Sequence, residues 1–137
     1  MSNWYRKPQS KYHNEPVTID GVRYDGKHEA QRHAFLKIME KSGEISNLRY
    51  HVRYDLIPKG DTDIILHFPD GDKHIKMHFD RTRFYEADFV YVNKKGEEIV
   101  EDFKGFETET FKQKRTLMKL IYGIDIKIVK LINAHVN

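Results

Sequence analysis

The sequence predicts an α/β fold, one domain in which two helices flank a mixed sheet. Three observations predict it. Two segments carry apolar residues at helical spacing and end at a glycine, at Ser42-Gly43 and at Tyr122-Gly123. Between and after them lie runs rich in β-branched and aromatic residues, broken at Pro58-Lys59-Gly60, Pro69-Asp70-Gly71 and Lys94-Lys95-Gly96. The length of 137 residues with 39% hydrophobic content suits one core.

Each element follows from its own signal. Residues 1–19 read as an arm, because Pro8 and Pro16 disfavour regular structure. Asp20-Gly21 offers a turn into the short run Val22-Arg23-Tyr24. A helix is expected from Asp25 or Gly26 to about Ser42, with Ala34, Phe35, Ile38 and Met39 as its apolar stripe and Glu29 in its first turn. Residues 50–57 read as a strand. Asp63 to Phe68 and Lys73 to Phe79 read as a hairpin around Pro69-Asp70-Gly71, with Ile75, Met77 and Phe79 alternating with His74, Lys76 and His78. Phe84 to Asn93 and Glu97 to Lys104 form the next hairpin. Thr110-Phe111-Lys112-Gln113 resembles a capping box opening the second helix. The last strand, Asp125 to about Asn133, is rich in Ile and Val.

Composition excludes more than it assigns. The chain has no cysteine, which removes disulfides, thiolate zinc sites and cysteine nucleophiles. It has neither the apolar run of a signal peptide nor a stretch long enough to span a bilayer, so a cytoplasmic protein with no membrane partner is expected. A net charge of +3 does not single out a nucleic-acid binder, but its distribution is suggestive. Arg6, Lys7 and Lys11 are interleaved with Trp4, Tyr5, Tyr12 and His13, and no acid precedes Glu15. Such an arm suits phosphates and bases, or is a frayed, solvated terminus. Eight histidines fall in no recognisable zinc spacing.

The hairpin from Phe84 to Lys104 carries the most chemistry. A three-residue loop, Lys94-Lys95-Gly96, pairs Asn93 with Glu97. Counted out along both strands, Val90 then faces Val100, Asp88 faces Asp102, and Glu86 faces Lys104. Alternation puts Asp88, Asp102 and Lys104 on one face, with Tyr85, Phe89 and Tyr91 on the other as core and Glu101 turned away from Asp88. Two carboxylates across a ladder, with β-carbons roughly 5 Å apart, repel each other. A divalent cation bridging them removes the repulsion, and hard Mg²⁺ prefers such oxygen ligands. Lys104 beside it can polarise a phosphate or position the attacking water, and the Phe103 carbonyl can add a ligand. The plainer alternative is a surface hairpin with Glu86–Lys104 as an exposed ion pair, which fits poorly with valines on the same face.

These residues, with Lys11-Tyr12-His13-Asn14, residues 20–30, Glu40-Lys41-Ser42-Gly43-Glu44-Ile45, Ala87-Asp88-Phe89, residues 100–105 and Thr108-Glu109-Thr110-Phe111-Lys112, resemble a family of small phage-encoded proteins assigned to the PD-(D/E)xK nucleases. Some of its members are labelled Holliday-junction resolvases. The resemblance implies a single-domain, restriction-endonuclease-like αβββαβ core with a mixed sheet over residues 20–137. It implies Mg²⁺, with Mn²⁺ as a substitute, in a one- or two-metal cleft. It makes Asp88 and Asp102 metal ligands, Lys104 the catalytic lysine, and Glu29 the first-helix acid that can bind a second cation or its water, where by itself Glu29 reads as a carboxylate stabilising a helix N-terminus. Ala87 stands in place of the nominal proline, Gly26 where relatives often have a serine cap, and residues 58–83 are longer than usual, a hairpin insert.

The implied activity is metal-dependent endonuclease cleavage of DNA, structure-selective on branched DNA in phage recombination or packaging, within the host cytoplasm. Junction resolution requires paired sites and hence a homodimer. The alternative is a silent DNA- or protein-binding phage module, such as a counter-defence protein. On the second helix, Lys112, Arg115 and Lys119 share a face that either tracks a DNA backbone or is simply solvated. Lys114, inside the apolar stripe of Phe111, Leu117, Met118 and Ile121, either snorkels to water or points toward the scissile phosphate.

Overall fold

The computed structural model describes residues 15–130, so Arg6, Lys7 and Lys11 of the arm and the chain after Lys130 lie outside the described residues. The elements run β1 (Val17–Ile19), β2 (Val22–Tyr24), α1 (Lys27–Lys41), β3 (Ile45–Ile57), β4 (Gly60–Phe68), β5 (Gly71–Phe79), β6 (Arg83–Asn93), β7 (Glu98–Lys104), α2 (Glu109–Tyr122) and β8 (Lys127–Lys130). Four strands form a sheet in the order β3-β6-β7-β8, antiparallel except for the parallel β7–β8 pair. The parallel pair follows from connectivity, because α2 carries the chain back across the sheet before β8 begins. The expected α/β architecture with a mixed sheet is what the chain adopts.

Part of the expected arm is structured. Val17–Ile19 pairs with Val22–Tyr24 through Asp20-Gly21, both at positive φ (52° and 78°). That two-residue turn matches the right-handed twist of the flanking strands. The ribbon is pinned to α1: Asp20 bonds His33 Nε2 at 2.9 Å and Lys37 Nζ at 2.8 Å, and the Tyr24 hydroxyl bonds His33 Nδ1. Both nitrogens of the fully buried His33 are thereby satisfied.

Gly26 caps α1 without a side-chain hydrogen bond, as the missing serine implied. The face that α1 buries differs from the expected stripe. Ala30, Arg32, His33 and Leu36 are inward, whereas Ala34 is exposed and Ile38 is 65% exposed. Polar residues occupy the inner face because each has a buried partner, so counting apolar residues alone rotated the helix.

The cores lie on opposite faces of the sheet. α1 packs Ala30 and Leu36 against Tyr24, Ile45, Phe89 and Tyr91. α2 packs Phe111 and Met118 against Leu56, Tyr85, Ala87, Val90, Val100 and Ile126, with Leu117 and Ile121 at the margin. Fully burying a side chain such as Met118 contributes about 1.5–3 kcal/mol. α2 starts earlier than expected: Thr108 is the N-cap and accepts from the Phe111 N–H at 3.1 Å. A hydroxyl three residues before a free N–H satisfies it, so Thr110 and Gln113 are not needed as a cap. Gly123, at φ 70°, closes the helix as expected. The inserted ribbon β4–β5 is a separate two-stranded sheet whose Ile64 and Phe79 rest on the α2 core. No helix among the described residues is long and apolar enough to cross a membrane.

Candidate active site

The loop between β6 and β7 sets the register of the site. Asn93 N–H donates to the Glu97 carbonyl at 2.9 Å, the Asn93 side chain accepts from the Lys95 and Glu97 N–H groups, and Gly96 takes φ 79°. Val90 then pairs with Val100 and Phe89 with Glu101, the register expected from the loop length. Regular pairing stops there. One step further the Asp88 side chain replaces a ladder carbonyl, its Oδ2 accepting from the Phe103 N–H at 2.8 Å. In an extended residue the N–H and carbonyl leave by the same edge, so the Phe103 carbonyl opens toward Asp88 as well.

β6 changes face at this point. Tyr85 and Ala87 belong to the α2 core, whereas Phe89 and Tyr91 belong to the α1 core. The expectation that Tyr85 points to the face away from Asp88 and Asp102 is therefore corrected: its hydroxyl donates to Asp102 Oδ2 at 2.7 Å. The same slip overturns the Glu86–Lys104 pair. Glu86 lies 3.2 Å from His51 Nδ1, and Lys104 Nζ lies 3.4 Å from Asp102 Oδ1. Across from Asp88 the partner strand is irregular too, because His51, between the paired Tyr50 and Val52, takes φ 51°. A non-glycine residue in that region is strained and is held there by its surroundings.

Asp102 is 2% exposed, and Asp88 is half-buried. Burial first, then a hydrogen bond and repulsion from Asp102, and then Glu29 raise the Asp88 carboxyl to about 9, against the lowering by the Phe103 N–H. The Glu29 carboxyl is also raised, by burial, Asp25 and Asp102. Burial, with Asp102 behind it, pushes the Tyr85 phenol upward, so it stays a donor. Asp102 thus lies beside both Asp88 and Lys104, with Glu29 within electrostatic reach. Among the described residues no three His, Asp or Glu side chains gather into a ready ligand group. Two carboxylates and a backbone carbonyl are hard oxygen donors, and with the charge conflict at Asp88 they fit Mg²⁺ or Mn²⁺.

Lys104 Nζ is held 4.5 Å from the centre of the Phe111 ring. Of the other predicted cations, Lys112 lines a pocket with Lys104 while Lys114, Arg115 and Lys119 lie elsewhere, and each of the three on the shared helix face has an acid beside it. Lys112 pairs with Glu109 at 3.3 Å, Arg115 with Glu107 at 2.6 Å and Lys119 with Asp125 at 2.7 Å. Lys114 lies over the Phe84 ring, at 5.5 Å, instead of joining the carboxylates.

Sequence reasoning missed the link that seats α1. Arg32 makes a bidentate pair with Glu101, Nη2 to Oε2 at 3.0 Å, and Tyr91 also donates to Glu101. Arg32 lies one turn beyond Glu29 and Glu101 beside Asp102, so this buried pair fixes the first-turn acid relative to the sheet acids. The signal was present in the turning of Glu101 away from Asp88, but its partner belongs to an element far away in sequence. His51 carried no signal at all.

Fold and site define an α/β protein in which two carboxylates, one almost wholly buried, converge where two central strands part. Residues 9–135 match the family described as "Protein of unknown function (DUF1064)", and the chain belongs to that family. Neither the curated proteins nor the solved structures contain a match to it.

Proposed function

We propose that the protein is a metal-dependent DNA endonuclease of the PD-(D/E)xK kind, with Asp88, Asp102, Lys104 and Glu29 at its centre. One observation carries the reading: two acids converge where β6 and β7 part, with Asp88 forced to about 9 and a lysine on the adjoining position. Such a placement costs folding stability and is relieved by a divalent cation. The element order α1, β3, β6, β7, α2, β8, with a ribbon inserted after the first strand of the sheet, is consistent with the αβββαβ core.

In this reading Asp88, Asp102 and the Phe103 carbonyl hold Mg²⁺ or Mn²⁺. Bound there, the cation supplies Lewis acidity and charge neutralisation at the phosphate. Tyr85 fixes one oxygen of Asp102 and leaves the other facing Lys104. Lys104 donates to a non-bridging phosphate oxygen, as charge builds on it during attack. Glu29, held above the usual carboxylate range, orients water from the α1 side. DNA is the substrate, and the phage setting, junction preference and homodimer follow from the resemblance alone.

A second reading is a DNA- or protein-binding module without turnover, favoured by the absence of a ready three-ligand group among the described residues. The deciding experiment incubates a four-way junction, a matched linear duplex and supercoiled plasmid with Mg²⁺, Mn²⁺ or EDTA, beside Asp102→Ala. Cation-dependent cutting that Asp102→Ala lowers by about 10³-fold or more is expected, in line with loss of a principal electrostatic group. Paired cuts confined to the junction establish a resolvase. A folded protein that binds DNA and never cuts it belongs to the second reading.

A further inference from the structure

Phe106 is 78% exposed, although it lies only two residues beyond Lys104 in the turn between β7 and α2. Leaving a phenylalanine in water forgoes the burial energy that Phe111, five residues on, collects in the α2 core. Neither the fold nor the proposed chemistry uses this ring. Its surroundings say what it suits. The ring lines a pocket of 240 Å³ with Lys104, Gly105, Glu107, Lys112 and Lys130, and it is the one apolar side chain among them.

Three cations reach this pocket from separate elements, β7, α2 and β8, and each has an acid beside it. Lys104 faces Asp102, Lys112 faces the exposed Glu109, and Lys130 faces Glu107 at 3.4 Å. The Lys112 pair is solvent-exposed, so it exchanges readily for a phosphate, and the Lys130 cation is itself more than half exposed although its partner Glu107 is mostly buried. A protein partner would ask for a continuous apolar patch of a few hundred Å². An isolated ring among exchangeable cations instead matches an unstacked nucleobase on the ring with phosphates on the lysines. The turn itself permits the approach, since a Cβ added at Gly105 would meet nothing within 4 Å.

We infer that Phe106 is a base-stacking platform, so that the site takes DNA with an unpaired nucleotide beside the phosphate at Lys104. This rests on the proposed nuclease reading and narrows its substrate: single strands, flaps and branch points over intact duplex. Stacking on one aromatic side chain contributes about 1–3 kcal/mol, which is roughly 5- to 150-fold in affinity.

The test measures binding of a fluorescent single-stranded oligonucleotide and of its duplex by anisotropy, with Ca²⁺ in place of Mg²⁺. Wild type, Phe106→Ala and Phe106→Tyr are compared, and cleavage of a flap substrate is read in parallel with Mg²⁺. Phe106→Ala is expected to weaken single-strand binding by about tenfold while duplex binding changes far less, with Phe106→Tyr restoring it. In Phe106→Trp the indole emission should be quenched by the single strand and barely altered by the duplex. Unchanged single-strand affinity in Phe106→Ala overturns the inference, as does an equal loss for single strand and duplex. If wild type cuts DNA and Phe106→Ala binds and cuts as well as it does, the stacking role alone fails. If wild type neither binds nor cuts any of these substrates, the nuclease reading falls and takes this one with it.

Discussion

Across the β4–β5 ribbon acids meet bases: Asp61 stands opposite His78, Asp63 opposite Lys76, and His67 opposite Asp72. Across the β6–β7 hairpin the acids Asp88 and Asp102 converge instead, one of them almost wholly buried. The same chain therefore places opposite charges together where water already screens them and like charges together where screening is weakest. Complementarity at the first ribbon adds little to stability. The conflict in the second costs a good deal, which is why the second is read as the site and the first as surface. The comparison can be broken at three points.

The largest effect is expected at the pair that holds α1 to the conflicted hairpin. Arg32→Met removes the bidentate partner of Glu101, a carboxylate with no exposed surface, and leaves it buried against Tyr91 alone. Breaking such a pair costs about 3–5 kcal/mol, readable as a drop in the urea midpoint. Replacing both partners, Arg32→Met with Glu101→Leu, should recover much of that stability. It should not recover activity if the pair is what seats Glu29. Recovery of both would make the pair structural only.

Next comes Asp88 itself. Its folded carboxyl titrates at about 9, above the roughly 3.9 of an unfolded chain, so between those values the folded protein holds more proton. The stability from keeping that proton is complete below about pH 4 and is lost as pH rises through 9. Without a cation, the protein should therefore be less stable at pH 8 than at pH 5. Asp88→Asn keeps the acceptor for the Phe103 N–H, carries no charge and should flatten that slope. Allowing for solvent screening of a half-buried group, the gain over wild type at pH 7 is roughly 2 kcal/mol. Wild type should also release about one proton when Mg²⁺ binds near pH 7, seen as a buffer-dependent calorimetric heat. A flat wild-type slope would remove the charge conflict on which the comparison rests.

How much of this was legible in the sequence depends on the range of the cause. The loop Lys94-Lys95-Gly96 fixed the pairing of Val90 with Val100, because hairpin register is local. Asp88, Asp102 and Lys104 were placed together on that count alone. What failed was long-range. The change of face at Asp88 coincides with the irregularity at His51, on a strand nearly forty residues earlier, and it moved Tyr85 and Glu86 from their expected sides. The inner face of α1 was misread because Arg32 and His33 are buried through Glu101, Tyr24 and Asp20, partners that periodicity does not reveal. The cap of α2 was misplaced by two residues, because Gln113 completes a capping-box pattern for Thr110 whereas Thr108, followed at that spacing by Phe111, is the threonine whose hydroxyl accepts the free N–H.

The smallest effect belongs to the first ribbon. Asp63 and His74 lie 3.5 Å apart with more than half of each side chain in water. Their attraction is screened by salt and opposed by the entropy of holding both side chains. Asp63→Asn should leave the thermal midpoint where it is at low and at high salt. It should also leave plasmid cleavage unchanged, because among the described residues the side-chain partners of Asp88, Asp102 and Lys104 come from β6, β7 and α2. An unmoved midpoint with slower cleavage would mean that the ribbon touches the DNA. The insertion between β3 and β6 would then be a substrate-reading element, and its matched charges a way of keeping a DNA-facing ribbon soluble in the absence of DNA.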